Sequence, residues 1–302
     1  MTIGLSPVIV RIAIRRGRDG QPQEGDRDTK MSNQVVLITG AGSGIGRAAV
    51  QLYAERGYGV VAVDINAARL AELAVPDDRV ATLRGDVATA EANEKAVSLA
   101  LSRFGRLDAV LLNAGIGGGG PLEARGAVEN FDRIVAVNVR GVLLGVRSAV
   151  PALRAAGGGA VVATASVSGL RGDPGTWAYN ASKAAVVNLV RALSIDYAAQ
   201  NIRINAIAPG LTATALTAGQ VAHPDLGPFL TRRIPQQRWA DPREQAEVLW
   251  FLTSPAASYI TGATIPVDGG LSANGGILLP PALGQAAEHA AAKASHAQAA
   301  KL

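Results

Sequence analysis

Short runs of aliphatic and β-branched residues alternate with longer segments of helical spacing along most of this 302-residue chain. The runs predict seven strands, at Val35–Thr39, Gly59–Asp64, Val80–Arg84, Leu107–Asn113, Ala160–Ala165, Arg203–Ile207 and Thr264–Val267. The predicted helices between them span 44–56, 66–74, 90–104, 126–153, 177–199 and 242–253. Because the strand runs are apolar throughout, both faces of the sheet must be covered. The sequence therefore predicts the α/β fold class, as one doubly wound domain with a seven-stranded parallel sheet.

The chain divides into three predicted parts. Residues 34–272 form the folded domain, and a flexible extension at 1–33 precedes it, with Met31 as the expected start of the working chain. An Arg-rich transit peptide is the alternative for that extension. The Ala-rich tail at 277–302 has high helix propensity and is expected to fray or to pack on a neighbouring subunit. Within the domain, residues 211–241 are rich in Thr, Pro and Gly, and a segment of that length predicts a lid.

Composition excludes several classes of site. The chain has no Cys, which excludes disulfides, thiolate metal sites and a cysteine nucleophile. It has three His, and two of them, His289 and His296, lie in the Ala-rich tail. A zinc-dependent alcohol dehydrogenase would therefore lack ligands, and we expect no metal.

The net charge of +5 lies mostly at the ends of the chain. Residues 1–30 carry +2 and residues 277–302 carry +1, which leaves +2 on the rest. That is too little for a face that follows phosphates, so no nucleic-acid partner is expected. The first apolar run, 7–14, is short and contains Arg11, so neither a membrane span nor a secretory signal is predicted, and the expected location is cytoplasmic.

A glycine-rich turn follows the first predicted strand and leads directly into a helix. Gly40, Gly44 and Gly46 are spaced so that the backbone can turn sharply and bring its N–H groups against a pyrophosphate. Such turns also occur as simple connections. The position between a strand and a helix favours nucleotide binding, with Ser43 and Ile45 inside the motif.

Asp64 closes the second predicted strand, 24 residues after Gly40. A carboxylate at this position can accept both ribose hydroxyls of an adenosine and would repel a 2′-phosphate. The alternative is a helix N-cap, a common role for aspartate. Neither Ser43 nor Ile65 offers a cation for a phosphate, so the pattern favours NAD over NADP.

Tyr179 and Lys183 stand four residues apart at the head of a predicted helix and so share one face. A phenol has a reference pKa of about 10, and a nearby ammonium would help to lower it toward neutrality. Ser166 precedes Tyr179 by thirteen residues and follows the fifth strand. The carboxyl ends of parallel strands carry the sites of such folds, and Ser166, Asp64 and Asn113 all fall there.

Taken together, these residues resemble the short-chain dehydrogenase/reductase family over about residues 34–272. The resemblance rests on Thr39-Gly40, Gly44-Ile45-Gly46, Asn113-Ala114-Gly115, Asn138, Ser166, Tyr179, Lys183 and Pro209-Gly210. It implies a Rossmann domain in which Tyr179 is the general acid–base, Ser166 orients the substrate oxygen and Lys183 lowers the pKa of Tyr179. It also implies that Lys183 binds the nicotinamide ribose and that Asn138 holds a water of a proton relay. Leu112 departs from the family pattern, which has Asn there.

The resemblance extends to the cofactor pocket. It implies that Asp86 and Val87 flank the adenine, that Asn113 helps to line the pocket, and that Thr212 and Thr214 hold the carboxamide. The predicted cofactor-binding residues are Gly40, Ser43, Gly44, Ile45, Asp64, Asp86, Val87, Asn113, Thr212 and Thr214.

The predicted reaction is hydride transfer between NAD(H) and a secondary alcohol or ketone. The expected pocket is apolar, which favours a hydrophobic or cyclic substrate, and its residues are Ser168, Leu170, Trp177, the turn 117–120, Leu216, Phe229 and Trp239. Arg171, Arg232 and Arg233 could instead recognise an anion or simply face solvent. Two alternatives stay open: a 3-oxoacyl-carrier-protein reductase and a non-catalytic dinucleotide-binding scaffold. The family resemblance also implies a homotetramer.

Overall fold

A computed structural model describes residues 33–75, 78–275 and 279–280. The predicted N-terminal extension, apart from residue 33, and the Ala-rich tail, apart from residues 279–280, lie outside the described residues. Their predicted properties stay predictions, as does the start at Met31.

Seven parallel strands form one sheet, as predicted. They are β1 (Val35–Thr39), β2 (Gly59–Asp64), β3 (Val80–Arg84), β4 (Ala109–Leu112), β5 (Gly159–Thr164), β6 (Ile202–Pro209) and β7 (Thr264–Val267). Their order across the sheet is β3-β2-β1-β4-β5-β6-β7. The order reverses direction between β1 and β4, which is where open α/β sheets form a crevice at the carboxyl ends of their strands. The doubly wound Rossmann arrangement is thereby confirmed.

Nine α-helices are found in the described part of the chain. They are α1 (Gly44–Glu55), α2 (Ala67–Ala71), α3 (Ala90–Phe104), α4 (Ala127–Val135), α5 (Gly141–Ala155), α6 (Trp177–Tyr197), α7 (Ala218–Ala222), α8 (Leu226–Arg233) and α9 (Pro242–Thr253). One buried cluster joins the sheet to α3, α5 and α6, and a second joins its other face to α1, α2 and α9. The uniformly apolar strands supply both clusters, as a sheet covered on two sides requires.

Local sequence signals explain where several helices begin and end. Asp241 caps α9 in a capping box with Glu244, and Pro242 occupies the first turn, where its missing N–H costs nothing. Thr89 caps α3, and Gly105 ends it in the left-handed region at φ 78°.

The structure differs from the sequence prediction in the bounds of several elements. β4 is shorter than the predicted 107–113, and β6 continues to Pro209, two residues beyond the predicted end. The predicted helix 126–153 is a continuous stretch from Ala127 to Ala155 with a π-helical turn at Ala136–Arg140. The segment 211–241 contains α7 and α8 rather than loop alone.

The stretch 127–155 is also, within the part of the chain that the structure describes, the one helical stretch long and apolar enough to cross a membrane by length and composition. Half of its most apolar window is buried inside the fold, as in a core helix.

Candidate active site

The glycine-rich turn between β1 and α1 adopts a backbone that side chains would obstruct. Gly40 and Gly44 have φ values of 66° and 51°, in the left-handed region. A Cβ at Gly46 would overlap the carbonyl oxygen of Gly40, so the close approach of helix to turn requires glycine there. Ser43 precedes the helix in an extended conformation, and its side chain makes no capping bond. The first-turn N–H groups of α1 therefore have no side-chain cap at this end, as an anion-binding helix terminus requires.

Asp64 is bound to this turn and does not cap a helix. Its Oδ2 accepts the N–H of Gly42 at 2.9 Å, and its Oδ1 accepts the N–H of Asn66 at 2.9 Å. The N-cap of α2 is Asn66, whose side chain accepts the N–H of Arg69 at 3.2 Å. The N-cap alternative for Asp64 is therefore wrong. Its carboxylate stands at the end of β2 with lone pairs left over for a ligand.

A hydrogen-bond network joins the ends of β1, β4 and β5. The Thr39 hydroxyl accepts the N–H of Asn113 at 3.0 Å and of Ala114 at 3.1 Å. The Asn113 Nδ2 donates to the Thr39 carbonyl at 3.2 Å, and its Oδ1 accepts the Thr164 hydroxyl at 3.1 Å. These hydrogen bonds hold the ends of the three strands in place at the bottom of the crevice between the glycine turn and Ser166.

Ser166 and Tyr179 meet at the carboxyl edge of β5. Ser166 follows that strand and begins a short 3₁₀ turn, where its Oγ accepts the N–H of Ser168 at 3.1 Å. Tyr179 lies in the first turn of α6, and its side chain shares a hydrogen bond with that of Ser166. Burial raises the pKa of Tyr179, the Ser166 bond lowers it, and the nearby Asp173 carboxylate raises it again. The net direction is upward, so further positive charge is needed before the phenol can act as a base at neutral pH.

Lys183 supplies a buried ammonium beside the phenol. Its Nζ donates to the carbonyl oxygen of Thr164 at 2.7 Å and lies 5.7 Å from the centre of the Tyr179 ring. Desolvation lowers the pKa of Lys183 to about 8, because burial penalises the charged form. A Cβ at Gly115 would come within 3.3 Å of this Nζ, so the glycine leaves space beside the amine.

Asn138 lies within the π-helical turn, which directs its side chain toward the loop after β4. Its Oδ1 accepts the N–H of Ile116 at 2.9 Å, and its Nδ2 donates to the Ile116 carbonyl at 3.0 Å and to Ser182 Oγ at 3.0 Å. Both N–H groups of the amide are thus used, and one lone pair of Oδ1 remains for a water. A π turn often marks a functional position within a helix.

The remaining predicted cofactor residues lie at two sides of the crevice. Asp86 follows β3 and accepts the N–H of Ala88 on Oδ1 at 2.9 Å, while Val87 is buried and its carbonyl accepts Asn93 Nδ2 at 2.9 Å. Across the crevice, Thr212 is buried and its carbonyl accepts the Thr217 hydroxyl at 2.6 Å.

Thr214 lies in the segment 211–241, beside the glycine turn. Its hydroxyl shares a hydrogen bond of 3.2 Å with that of Thr217, and a Cβ at Gly44 would lie 3.1 Å from its Cγ2. A cavity of about 590 Å³ opens on the outer side of this contact, between α1, α7 and the start of α9.

The surroundings predicted for a substrate are largely apolar. Trp177 stacks on Phe131 with ring centres 5.8 Å apart, and its indole N–H donates to the Gly120 carbonyl at 3.2 Å. Leu216 reaches the turn at Gly117 and is 64% exposed, as expected for an open apolar rim. Trp239 instead donates its indole N–H to the Thr231 hydroxyl at 2.8 Å, which ties it to α8.

The three candidate anion-binding arginines have other neighbours. Arg171 lies 3.8 Å from an Asp173 oxygen, Arg232 donates to the Pro280 carbonyl, and the Arg233 guanidinium stands 5.9 Å from the Phe229 ring centre. Among the described residues, no group of three His, Asp or Glu side chains could hold a metal ion.

Sequence reasoning missed two contributors to this site. Ser182, directly before Lys183, receives an Asn138 N–H and donates to the Tyr179 carbonyl at 2.8 Å. Its place in the Tyr179–Lys183 segment was the available signal. The sequence contains no signal for Asp173, because only the folded loop brings its carboxylate close to Tyr179.

The fold and this edge of the sheet define a doubly wound α/β oxidoreductase with a dinucleotide crevice. Residues 40–272 match a family model described as Enoyl-(Acyl carrier protein) reductase. The chain belongs to the short-chain dehydrogenase/reductase family, whose members bind a nicotinamide dinucleotide, and it acts as an oxidoreductase on CH–OH groups.

Several similar proteins have known activities. The chain is 36% identical to the 2-(R)-hydroxypropyl-CoM dehydrogenase of Xanthobacter autotrophicus, covering 80% of this chain and 99% of that protein. It is 38% identical to a cyclohexanol dehydrogenase of Acinetobacter sp., covering 80% and 95%. Among solved structures, the 3-ketoacyl-(acyl-carrier-protein) reductase of Brucella melitensis complexed with NADH has a TM-score of 0.74 at 36% identity, covering 80% and 100%.

Proposed function

We propose that the protein is an NAD-dependent dehydrogenase and reductase of hydrophobic or cyclic secondary alcohols and ketones, with Tyr179 as general acid–base. The observation that carries this proposal is the position of the Lys183 ammonium, which donates to the Thr164 carbonyl at the end of β5 at 2.7 Å and lies 5.7 Å from the centre of the Tyr179 ring. A proton donor, an orienting hydroxyl and a cation thus meet at one edge of the sheet.

Each of these groups has one task in the proposed reaction. When bound, the nicotinamide ring supplies or takes up the hydride. Tyr179 gives its proton to the carbonyl oxygen in reduction and takes it from the alcohol in oxidation. Ser166 donates a hydrogen bond to the same oxygen. Lys183, protonated below its pKa of about 8, stabilises the phenolate. Asn138 contributes its remaining lone pair to a water that connects Lys183 with solvent.

The residues for the dinucleotide fit an NAD-type ligand. The turn around Gly40 and Gly44 offers backbone N–H groups and the N-terminus of α1 for the pyrophosphate. Asp64, held against Gly42 and Asn66, presents its free lone pairs to ribose hydroxyls and repels an additional phosphate. Asp86, Val87, Asn113, Thr212 and Thr214 complete the proposed set, with Ser43 and Ile45 in the turn.

The proposed substrate class rests on the apolar rim. Trp177 with its Phe131 neighbour and the exposed Leu216 offer contact to a hydrophobic ring rather than to a charged one. The resemblance to a cyclohexanol dehydrogenase supports the same class.

A screen of secondary alcohols and ketones with NAD(H), followed by the nicotinamide absorbance, tests this function. We expect turnover with a cyclic or aliphatic substrate and a lower KM for NADH than for NADPH. A clear preference for NADPH would contradict the role given to Asp64. Cofactor binding without turnover of any substrate would favour the scaffold alternative.

The similarity to a 3-ketoacyl-(acyl-carrier-protein) reductase favours one second candidate function. The same catalytic residues would then reduce a 3-oxoacyl thioester. A higher kcat/KM for that thioester than for any free ketone would support the second candidate.

We further propose that residues 34–272 act as one domain with 211–241 as its lid, in a cytoplasmic homotetramer that forms through the long helices. Leu143 on α5 is 46% exposed and Ile195 on α6 is 79% exposed, which supports an apolar contact there.

A further inference from the structure

The loop between Ser166 and α6 is held by hydrogen bonds to one residue, Asp173. Asp173 Oδ2 accepts the Ser168 hydroxyl at 2.6 Å. The Asp173 carbonyl accepts Asn180 Nδ2 at 2.9 Å and the Thr176 hydroxyl at 3.1 Å. Asp173 therefore ties the loop both to its own beginning and to the first turns of α6.

This closure reaches the proposed acid–base through two further bonds. The Ser168 N–H donates to Ser166 Oγ at 3.1 Å, and Ser166 shares its hydrogen bond with Tyr179. Moving Ser168 would turn the Ser166 hydroxyl away from the phenol. The Ser168–Asp173 pair is partly buried, and hydrogen bonds to an ionised acceptor are stronger than those between neutral groups, so Asp173 holds Ser168 in place.

The charged groups that face Tyr179 come from two elements. Lys183 approaches from α6, and Asp173 from the loop, where Arg171 stands 3.8 Å from its Oδ1. The helix α4 also packs on α6, but its charged residues, together with Arg140 of the π turn, are exposed to solvent; these are Glu129, Asp132, Arg133 and Arg140. Asp173 is therefore the negative charge that acts on the phenol, and it adds to the larger effect of burial in raising the pKa of Tyr179.

We propose that Asp173 is a positioning residue for the reaction, which fixes Ser166 through Ser168 and whose charge contributes to the pH dependence of proton transfer at Tyr179. This inference rests on the proposed role of Tyr179 as acid–base. A carboxylate near the phenol favours the neutral form, which is the form that donates a proton to a ketone. In the free enzyme, burial is the main cause that raises the pKa of Tyr179, and the Asp173 charge acts in the same direction.

The substitution Asp173→Asn separates charge from geometry. The asparagine oxygen still accepts the Ser168 hydroxyl, while the negative charge is gone. In the pH profile of kcat/KM for alcohol oxidation, we expect the acidic limb to move to lower pH by about half a pH unit. A larger shift is not expected, because the Asp173 side chain is 36% exposed and water screens its charge.

Two further variants test the inference even if the substitution at position 173 disturbs folding. Arg171→Gln removes the positive neighbour of Asp173 and is expected to move the limb to higher pH. Ser168→Ala keeps both charges and breaks the closure, so we expect kcat to fall several-fold without a shift to lower pH. Asp196→Asn, at the exposed far end of α6, is the matched control and should leave the profile unchanged.

A second readout does not depend on turnover. Ultraviolet titration of phenolate absorbance, with Tyr179→Phe subtracted as baseline, should show the Tyr179 transition at lower pH in Asp173→Asn than in the parent. If both the limb and this transition stay within about 0.2 pH unit of the parent while Tyr179→Phe is inactive, the inference about Asp173 is wrong and the proposed function stands. If Tyr179→Phe retains turnover, the proposed function itself falls.

Discussion

Lys183 illustrates how chemistry and stability oppose each other at a single residue. The residue is 3% exposed, and its ammonium donates to the Thr164 carbonyl at 2.7 Å. Burial lowers its pKa from 10.5 to about 8. Between these pH values the unfolded chain holds a proton that the folded chain has released. The free energy of unfolding therefore rises as the pH rises from about 8 to about 10.5, and the burial penalty is fully present below pH 8.

We predict that Lys183→Met abolishes activity and stabilises the fold at pH 7 by about 1–3 kcal/mol, since it removes a buried charge. Urea unfolding at pH 7 and at pH 10.5 measures the effect, and the gain should shrink at the higher pH. Lys95→Met, at an exposed lysine of α3, is the control and should change stability little at either pH. An equal gain at both pH values would mean that the charge is not the cause.

At the scale of single residues, the sequence alone predicted the candidate groups but not all the partners that the structure gives them. Ser166, Tyr179 and Lys183 lie together because their residue types and spacing around β5 and α6 bring them to one edge. Asp64 could be interpreted from sequence in two ways, and its bond to the Gly42 N–H decides against the helix cap. Asp173 could not be predicted, because its effect on Tyr179 depends on the path of a loop.

Among the elements, the turn between β1 and α1 tolerates change least. A Cβ at Gly46 would meet the Gly40 carbonyl and would come within 2.7 Å of Asn113 Nδ2. We predict that Gly46→Ala lowers the melting temperature by several degrees and weakens dinucleotide binding at least tenfold, because the helix must move away from the turn.

A matched glycine lies in α7 of the lid. A Cβ at Gly219 would meet nothing within 4 Å, so Gly219→Ala should be neutral or stabilising by up to about 1 kcal/mol. Differential scanning fluorimetry with and without NAD compares the two variants. Equal melting temperatures for both would contradict the steric account of the turn.

The ends of a strand could be predicted from sequence where the residues change abruptly from apolar to polar. The predicted ends of β1, β2, β3 and β7 match the structure. The π turn at Ala136–Arg140 could not be predicted, since one inserted residue barely disturbs an apolar helical pattern that continues to Ala155. The two lid helices are five and eight residues long and interrupted by polar turns, so their periodicity is too short to detect.

At the scale of the whole molecule, the doubly wound parallel sheet was the safest prediction, because strand–helix alternation with right-handed crossovers leaves few arrangements. The assembly is a separate question. We predict a tetramer by light scattering, and a smaller species for Ile195→Asp, whose charge would lie in the proposed contact. Tyr259→Asp, at a fully exposed position outside the long helices, is the control. An unchanged mass for Ile195→Asp would place the contact elsewhere.

The central claim is that the Tyr179 hydroxyl carries the proton. Steady-state oxidation and reduction by Tyr179→Phe, with NAD binding followed in parallel by fluorescence, test it most directly. The account predicts that turnover falls by about 10²–10⁴-fold while the dissociation constant for NAD stays within a few-fold of the parent. Turnover within about tenfold of the parent, in a variant that still binds NAD, would contradict it.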